Sequence, residues 1–173
     1  MTYFYRFGVP YWEYHLCVCC MAVIKMTHDL VVLGGGPGGY VAAIRAAQLG
    51  MNVAIIEKED RFGGTCLRVG CIPSKALLES SHKYEIATGE LGQHGVVTQG
   101  VSLDLAVMMK RKADVVQTLS KGIEALLAKN KVVKIKGTGR LAGAGRVHVM
   151  STDGSVTEVS AQRIVLAVGS HSV

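Results

Sequence analysis

Apolar residues in this chain arrive in short unbroken runs between glycines, the pattern of strands buried on both faces rather than half-exposed ones. Asp29-Leu30-Val31-Val32-Leu33 is the first such run, and it leads directly into Gly34-Gly35-Gly36-Pro37-Gly38-Gly39. Tyr40 to Leu49 reads as a helix stopped by Gly50. Asn52-Val53-Ala54-Ile55-Ile56 is a second strand, closing on Glu57. Pro73 to Tyr84 predicts another helix. Ser102 or Asp104 is placed to cap a long helix through Lys129, with apolar residues at Val107, Met108, Val115, Leu119, Ile123, Leu126 and Leu127. Val132 to Ile135 predicts a strand reaching a turn at Gly137-Thr138-Gly139. Arg146 to Met150 and Ser155 to Val159 predict a hairpin around Asp153-Gly154, and Ile164 to Ser170 a final strand. The fold class expected is α/β: a parallel sheet, a βαβ unit at the amino-terminal end and a small antiparallel β-hairpin insertion.

The glycine cluster is the first chemical signal. Gly34-x-Gly36-x-x-Gly39 follows a strand and opens a helix, and an acid, Glu57, ends the next strand 21 positions after Gly36. Each glycine has a physical task in holding a dinucleotide: a tight turn, close approach of backbone to pyrophosphate, and close helix–strand packing. The helix aims unpaired N–H groups at the phosphate, and the acid accepts from a ribose hydroxyl. The fingerprint alone does not separate FAD from NAD. Glu57 argues against a 2′-phosphate, because two negative charges would be held together.

Composition narrows the classes. The 173 residues are enough for one domain with a substantial core. Nineteen basic and 13 acidic residues give a net charge of +6, and the basic residues are scattered rather than striped. Nucleic-acid binding is therefore not expected, whereas an anionic small molecule suits the balance. Residues 1–25 differ from the rest, holding most of the chain's ten Tyr, Phe and Trp residues together with Cys17, Cys19 and Cys20. The apolar run Leu16 to Ile24 is too short to span a membrane, and no convincing signal-peptide pattern surrounds it. His15 with these cysteines lacks standard zinc spacing, so no metal site is expected. This segment reads as a disordered or misassigned leader, with Met26 as the natural start.

A second cluster is Gly63-Gly64-Thr65-Cys66-Leu67-Arg68-Val69-Gly70-Cys71-Ile72-Pro73-Ser74-Lys75. Two cysteines five apart could simply pack as small hydrophobes. On an ideal helix their α-carbons would lie about 8.7 Å apart, whereas a disulfide needs roughly 7 Å or less. A bridge would therefore need irregular backbone, which Gly63, Gly64, Gly70 and Pro73 make available. Such a short bridge would be easily reduced, suiting a catalytic role. Cys71 would lie near a helix amino terminus, a position that favours a thiolate.

This run, with the following Ala-Leu-Leu, resembles the redox-active segment of the pyridine nucleotide–disulfide oxidoreductases, and within that family the dihydrolipoamide dehydrogenase branch. Glutathione reductases usually carry Lys at the position of Ser74, and mercuric reductases Val at that of Ile72. The likeness runs from about Thr27 to Ser170. It implies a Rossmann-like FAD-binding domain at 26–173 with FAD pyrophosphate over Gly34, Gly36 and Gly39, and the adenosine ribose on Glu57 beside Lys58. Gly64, Thr65 and Cys66 would run along the cofactor. Cys66 would exchange with a substrate dithiol, and Cys71 would sit against the flavin. Lys75 would lie by the flavin's reactive nitrogen, and Gly139, Gly169 and Ser170 would approach the cofactor too. Two residues depart from the family pattern. Arg68 stands where Asn is usual, expected to alter the site's electrostatics slightly, and Val168 where Thr is usual, losing a hydroxyl.

The resemblance further implies oxidation of the dihydrolipoyl group of a 2-oxoacid dehydrogenase or glycine cleavage complex, with NAD as final acceptor, by a homodimer. The family's nicotinamide-binding domain and its dimerisation domain, which carries the histidine base, are expected to lie outside these 173 residues, making the domain incomplete. A non-catalytic FAD-binding fragment, or a mercuric or glutathione reductase-like member, is the alternative. A cytoplasmic location is expected, since catalytic cysteines need no oxidising compartment.

Overall fold

A computed structural model describes residues 26–170. The expected leader and the cysteines at 17, 19 and 20 lie outside the described residues. The order is β1 (Met26–Leu33), α1 (Pro37–Gln48), β2 (Val53–Glu57), α2 (Gly64–Arg68), α3 (Cys71–Glu85), α4 (Leu105–Lys129), β3 (Val133–Lys136), β4 (Thr138–Leu141), β5 (Arg146–Met150) and β6 (Val156–Leu166). A π-helical turn, Ile86–Glu90, and a 3₁₀ turn, Leu91–His94, follow α3.

One six-stranded sheet runs β3-β2-β1-β6-β5-β4. The β3-β2-β1-β6 half is parallel, with Val31 opposite Ala54 on one side and Ile164 on the other. Alternate residues of the central strands feed two separate cores, because successive strand side chains point to opposite faces. Leu30, Val32, Val53 and Ile55 pack with Ala43 and Ala46 of α1, Leu67 of α2, and Ile123 and Leu127 of α4. Val31, Leu33, Ala54 and Ile56 pack with Val147, Val149 and Val159. The unbroken apolar runs are explained: helices cover one face of the sheet and the antiparallel strands fold over the other.

The structure revises four details. The predicted second hairpin strand and final strand are one 11-residue strand, β6. No Gly or Pro interrupts Val156 to Leu166, and each half has a partner: Val156–Ser160 pairs with β5, while Val159–Leu166 pairs with β1. Residues 167–170 leave the sheet. The hairpin becomes a three-stranded meander, since Thr138 and Gly139 belong to β4 and only Gly137, at φ +148°, makes the bend. The irregular run between the cysteines contains a short helix, α2. In α4, Asp104 rather than Ser102 is the cap, accepting from the Val107 N–H at 3.0 Å. Of the apolar positions read there, Ile123 and Leu127 are buried, whereas Val107, Leu119 and Leu126 are exposed.

Candidate active site

Backbone contacts build the glycine-rich turn. Gly34, at φ +104°, donates its N–H to the Ile56 carbonyl at 2.8 Å. A side chain there would collide with the Ala167 carbonyl, and one on Gly39 would collide with the Gly34 carbonyl. Gly36 differs. Its nearest neighbour to an added Cβ is the Gly64 α-carbon at 3.8 Å, so the space above it is open. It is the N-cap of α1 and makes no side-chain cap hydrogen bond, leaving first-turn N–H groups available to an anion. Both Glu57 oxygens are held: Oε2 accepts from the Gly35 N–H at 2.7 Å and Oε1 from the Glu59 N–H at 2.9 Å.

The cysteine segment lies directly on this turn. Gly63 (φ +116°) donates its N–H to the Gly35 carbonyl at 2.8 Å. Gly64, at φ +59°, approaches so closely that its added Cβ would meet the Gly36 α-carbon at 2.7 Å. The α2 helix carries Cys66 and is anchored by buried Leu67. The Val69 and Gly70 N–H groups both close on the Thr65 carbonyl, at 3.1 and 2.8 Å. That closure ends α2, and α3 starts afresh at Cys71. The interruption separates the helix that carries Cys66 from the helix that Cys71 opens.

Cys66, half-buried, and Cys71, exposed, are free thiols. Hydrogen bonding to the Cys71 thiol, with burial next, pushes the Cys66 thiol above its ordinary value, and the Lys75 ammonium pulls it back. A hydrogen bond that raises a thiol's pKa stabilises its protonated form. The Cys66 and Cys71 thiols therefore act on each other, with Lys75 near enough to act on Cys66 as well.

Arg68 pairs with Glu59 at 2.9 Å, and this contact is the main cause holding the Glu59 carboxyl below its usual range. Lys58 is exposed beside them. Gly139 packs over the carboxyl ends of β1 and β2, within 3.1 Å of Leu33 and 3.4 Å of Ile56 for an added Cβ. Gly169 and Ser170 are exposed beyond β6, downstream of the Ala167 N–H that donates to the Leu33 carbonyl at 2.8 Å. The structure thus gathers Gly34, Gly36, Gly39, Glu57, Gly64, Thr65, Cys66, Cys71 and Lys75 at one end of the sheet. It puts Gly169 and Ser170 on an exposed segment. Sequence reasoning missed Gly35 and Glu59, which meet Glu57 through backbone N–H groups, a contact that no side-chain pattern announces. Among the described residues no group of three or more His, Cys, Asp or Glu is placed to hold a metal ion. Nor is any described helix long and apolar enough to cross a membrane.

The structure joins a mostly parallel α/β sheet, a glycine-rich turn that opens a helix, and a pair of thiols seated on that turn. The family model for pyridine nucleotide-disulphide oxidoreductases matches residues 28–173, and the chain belongs to that family. It is 54% identical over 143 residues to a mitochondrial dihydrolipoyl dehydrogenase of Dictyostelium discoideum, covering 83% of this chain and 29% of that protein. It is also 54% identical over 145 residues to dihydrolipoyl dehydrogenase 3 of Pseudomonas putida, covering 84% and 31%. A leghemoglobin reductase of Vigna unguiculata is 52% identical over 143 residues, covering 83% and 27%. The chain therefore spans less than a third of the length of these relatives. The fold resembles that of the HOCl-induced flavoprotein disulfide reductase RclA of Escherichia coli, solved as a Cu(II) complex. That match has a TM-score of 0.70 at 24% identity and covers 85% of this chain and 30% of that one.

Proposed function

We propose that this chain is the FAD-binding, dithiol-bearing part of a dihydrolipoyl dehydrogenase, with residues 26–173 as one incomplete FAD-binding domain. The observation that carries the reading is the seating of Gly64 on Gly36, which brings the Cys66–Cys71 thiols to the nucleotide loop. Open space over Gly36, free N–H groups at the start of α1 and a doubly anchored Glu57 fit a dinucleotide. Gly34, Gly36 and Gly39 would hold its pyrophosphate and Glu57 its ribose, with Lys58, Gly139, Gly169 and Ser170 along its edge. FAD, when bound, supplies a two-electron acceptor beside the dithiol.

The thiol chemistry belongs to this chain's residues. With the pair oxidised, a thiolate of the substrate dithiol attacks the Cys66 sulfur. The Cys66–Cys71 bond breaks and Cys71 leaves as a thiolate. The second substrate thiolate then attacks the substrate sulfur in the mixed disulfide and expels Cys66. One substrate dithiol becomes a disulfide and one cysteine disulfide becomes two thiols, so the two electrons balance. Expelled Cys66, its thiol raised above the ordinary value chiefly by the neighbouring Cys71 thiol, takes up a proton. Lys75 adds a cation beside the pair.

The relatives' names support a dihydrolipoyl substrate, so the partner we assign is the lipoyl-bearing component of a 2-oxoacid dehydrogenase or glycine cleavage complex. NAD as final acceptor and a homodimeric whole protein belong to the same reading, and nucleic acid and membrane do not. We keep the cytoplasm as the location on the ground of cysteine usage, although the Dictyostelium relative is named as mitochondrial. A second reading is that these residues hold flavin without passing electrons to it; both thiols are free in the structure.

The test is to load the protein with FAD, pass it over a gel-filtration column and record its spectrum before and after adding dihydrolipoamide without NAD. Retained flavin with new long-wavelength absorbance, abolished by Cys71→Ser, is the expected result. Retained flavin with no spectral change supports the second reading. Complete loss of flavin on the column overturns FAD holding by this chain.

A further inference from the structure

Helix α3, which starts with Cys71 and carries Lys75, has one buried residue, Ala76, and partly buried Ile72 packs against the core beside it. A cleft of about 190 Å³ separates it from α4, lined by Ile72, Lys75, Ala76, Glu79, Arg111 and Leu119 among others. Arg111 of α4 reaches across. Its Nη1 donates to the Ala76 carbonyl at 3.1 Å and lies 3.5 Å from the Ser80 hydroxyl, while Nη2 donates to Glu79 at 2.7 Å. That contact is the main cause keeping the Glu79 carboxyl below its usual range. The planar guanidinium thus grips one backbone and one side-chain acceptor of α3 together, a fixed fork that lysine lacks. Ala76 is five residues from Cys71, about 7.5 Å along the axis, so the grip at Arg111 bears on the axial position of Cys71, which opens the same helix.

We propose that Arg111 is a positioning residue for the Cys66–Cys71 couple, holding α3 at the axial position where the two sulfurs meet. The inference rests on reading that pair as a redox couple. Loosening α3 lowers the effective concentration of one thiol at the other, so the disulfide becomes easier to reduce.

The test is the exchange equilibrium with glutathione, in which two cysteine thiols and oxidised glutathione give the protein disulfide and two reduced glutathiones. It is read for Cys66 and Cys71 alone by site-resolved mass spectrometry after alkylation, with no flavin required. In R111A the equilibrium constant is expected to fall by about three- to tenfold, while K110A, which removes a neighbouring cation paired with Asp114 rather than α3, leaves it unchanged. E79Q, which keeps the partner's size but weakens the grip, shifts it the same way by less, and decides the matter should R111A not fold. An unchanged constant in folded R111A overturns the proposal, as does an equal shift in K110A. A parent chain that forms no Cys66–Cys71 disulfide overturns the redox reading itself.

Discussion

Gly64 rests on Gly36, so that a single methyl group added to Gly64 would meet the Gly36 α-carbon at 2.7 Å. Backbone thus touches backbone between the segment that carries the dithiol and the loop that opens α1. Two functions separated in sequence by 28 residues share one surface because neither partner has a side chain.

Gly64→Ala follows directly. The new methyl group cannot be relieved by rotating a side chain, and φ +59° is a conformation that non-glycine residues adopt only at a cost. We expect a loss of about 1–3 kcal/mol in urea unfolding, together with weaker FAD retention. Gly89→Ala, at a site with no atom within 4 Å of the added methyl, should change neither.

Cys66 gives a pH prediction. Contact with the Cys71 thiol is the largest cause raising it, and Lys75 acts the other way. Alkylation of Cys66 should therefore begin at higher pH than for an unstructured cysteine. Cys71→Ala should bring that onset down, and Lys75→Ala should move it further up. In terms of stability, a thiol whose pKa is raised by folding contributes stability that is present below the unfolded value. That stability is lost as pH rises through the folded one. The folded state should accordingly weaken in the alkaline range, and less so in Cys71→Ala. An onset for Cys66 matching that of a free cysteine would contradict the influence of the Cys71 thiol on it.

How much of this was readable beforehand differs by element. The βαβ unit, the end of α4 at Lys129 and the acid at Glu57 were legible, because strand runs, glycine stops and caps are local signals. The fusion of two predicted strands into β6 was not. Ser160 to Arg163 look like a break when only hydropathy is read, and pairing with β5 and β1 carries the strand through. The outward-facing residues of α4 were equally hidden, since Leu126 and Leu127 are alike in composition and differ only in which side of the helix meets the sheet. Cys66 and Cys71 stand out in the sequence by their glycine- and proline-flanked spacing, and the structure brings them to the glycine turn. Glu59 and Arg111 do not stand out, because their partners lie 9 and 32 positions away.

That pair of leucines makes the packing claim checkable. Leu127 is fully buried against the sheet, whereas Leu126 is 48% exposed. Leu127→Ala should cost about 2–5 kcal/mol by the lost contacts and the cavity left behind, and Leu126→Ala less than about 1 kcal/mol. Comparable losses measured by urea unfolding would show that α4 is seated with a different face inward.

Glu57 ties the glycine turn to the nucleotide reading. Its two oxygens accept the Gly35 and Glu59 N–H groups, and Gly35 is itself buried. Glu57→Ala strands the Gly35 donor away from water, which should cost about 1–3 kcal/mol of stability even without nucleotide. Glu57→Gln keeps one oxygen acceptor and should recover most of that stability. The two variants should behave differently toward FAD. If the carboxylate also accepts from the ribose, Glu57→Gln stays nearly as stable as the parent but binds FAD about tenfold more weakly, corresponding to roughly 1.4 kcal/mol. Isothermal titration of both variants beside their unfolding curves separates the two roles. Parent-like FAD affinity in Glu57→Gln would leave Glu57 as a structural brace of the Gly34–Gly39 turn and move the ribose contact elsewhere.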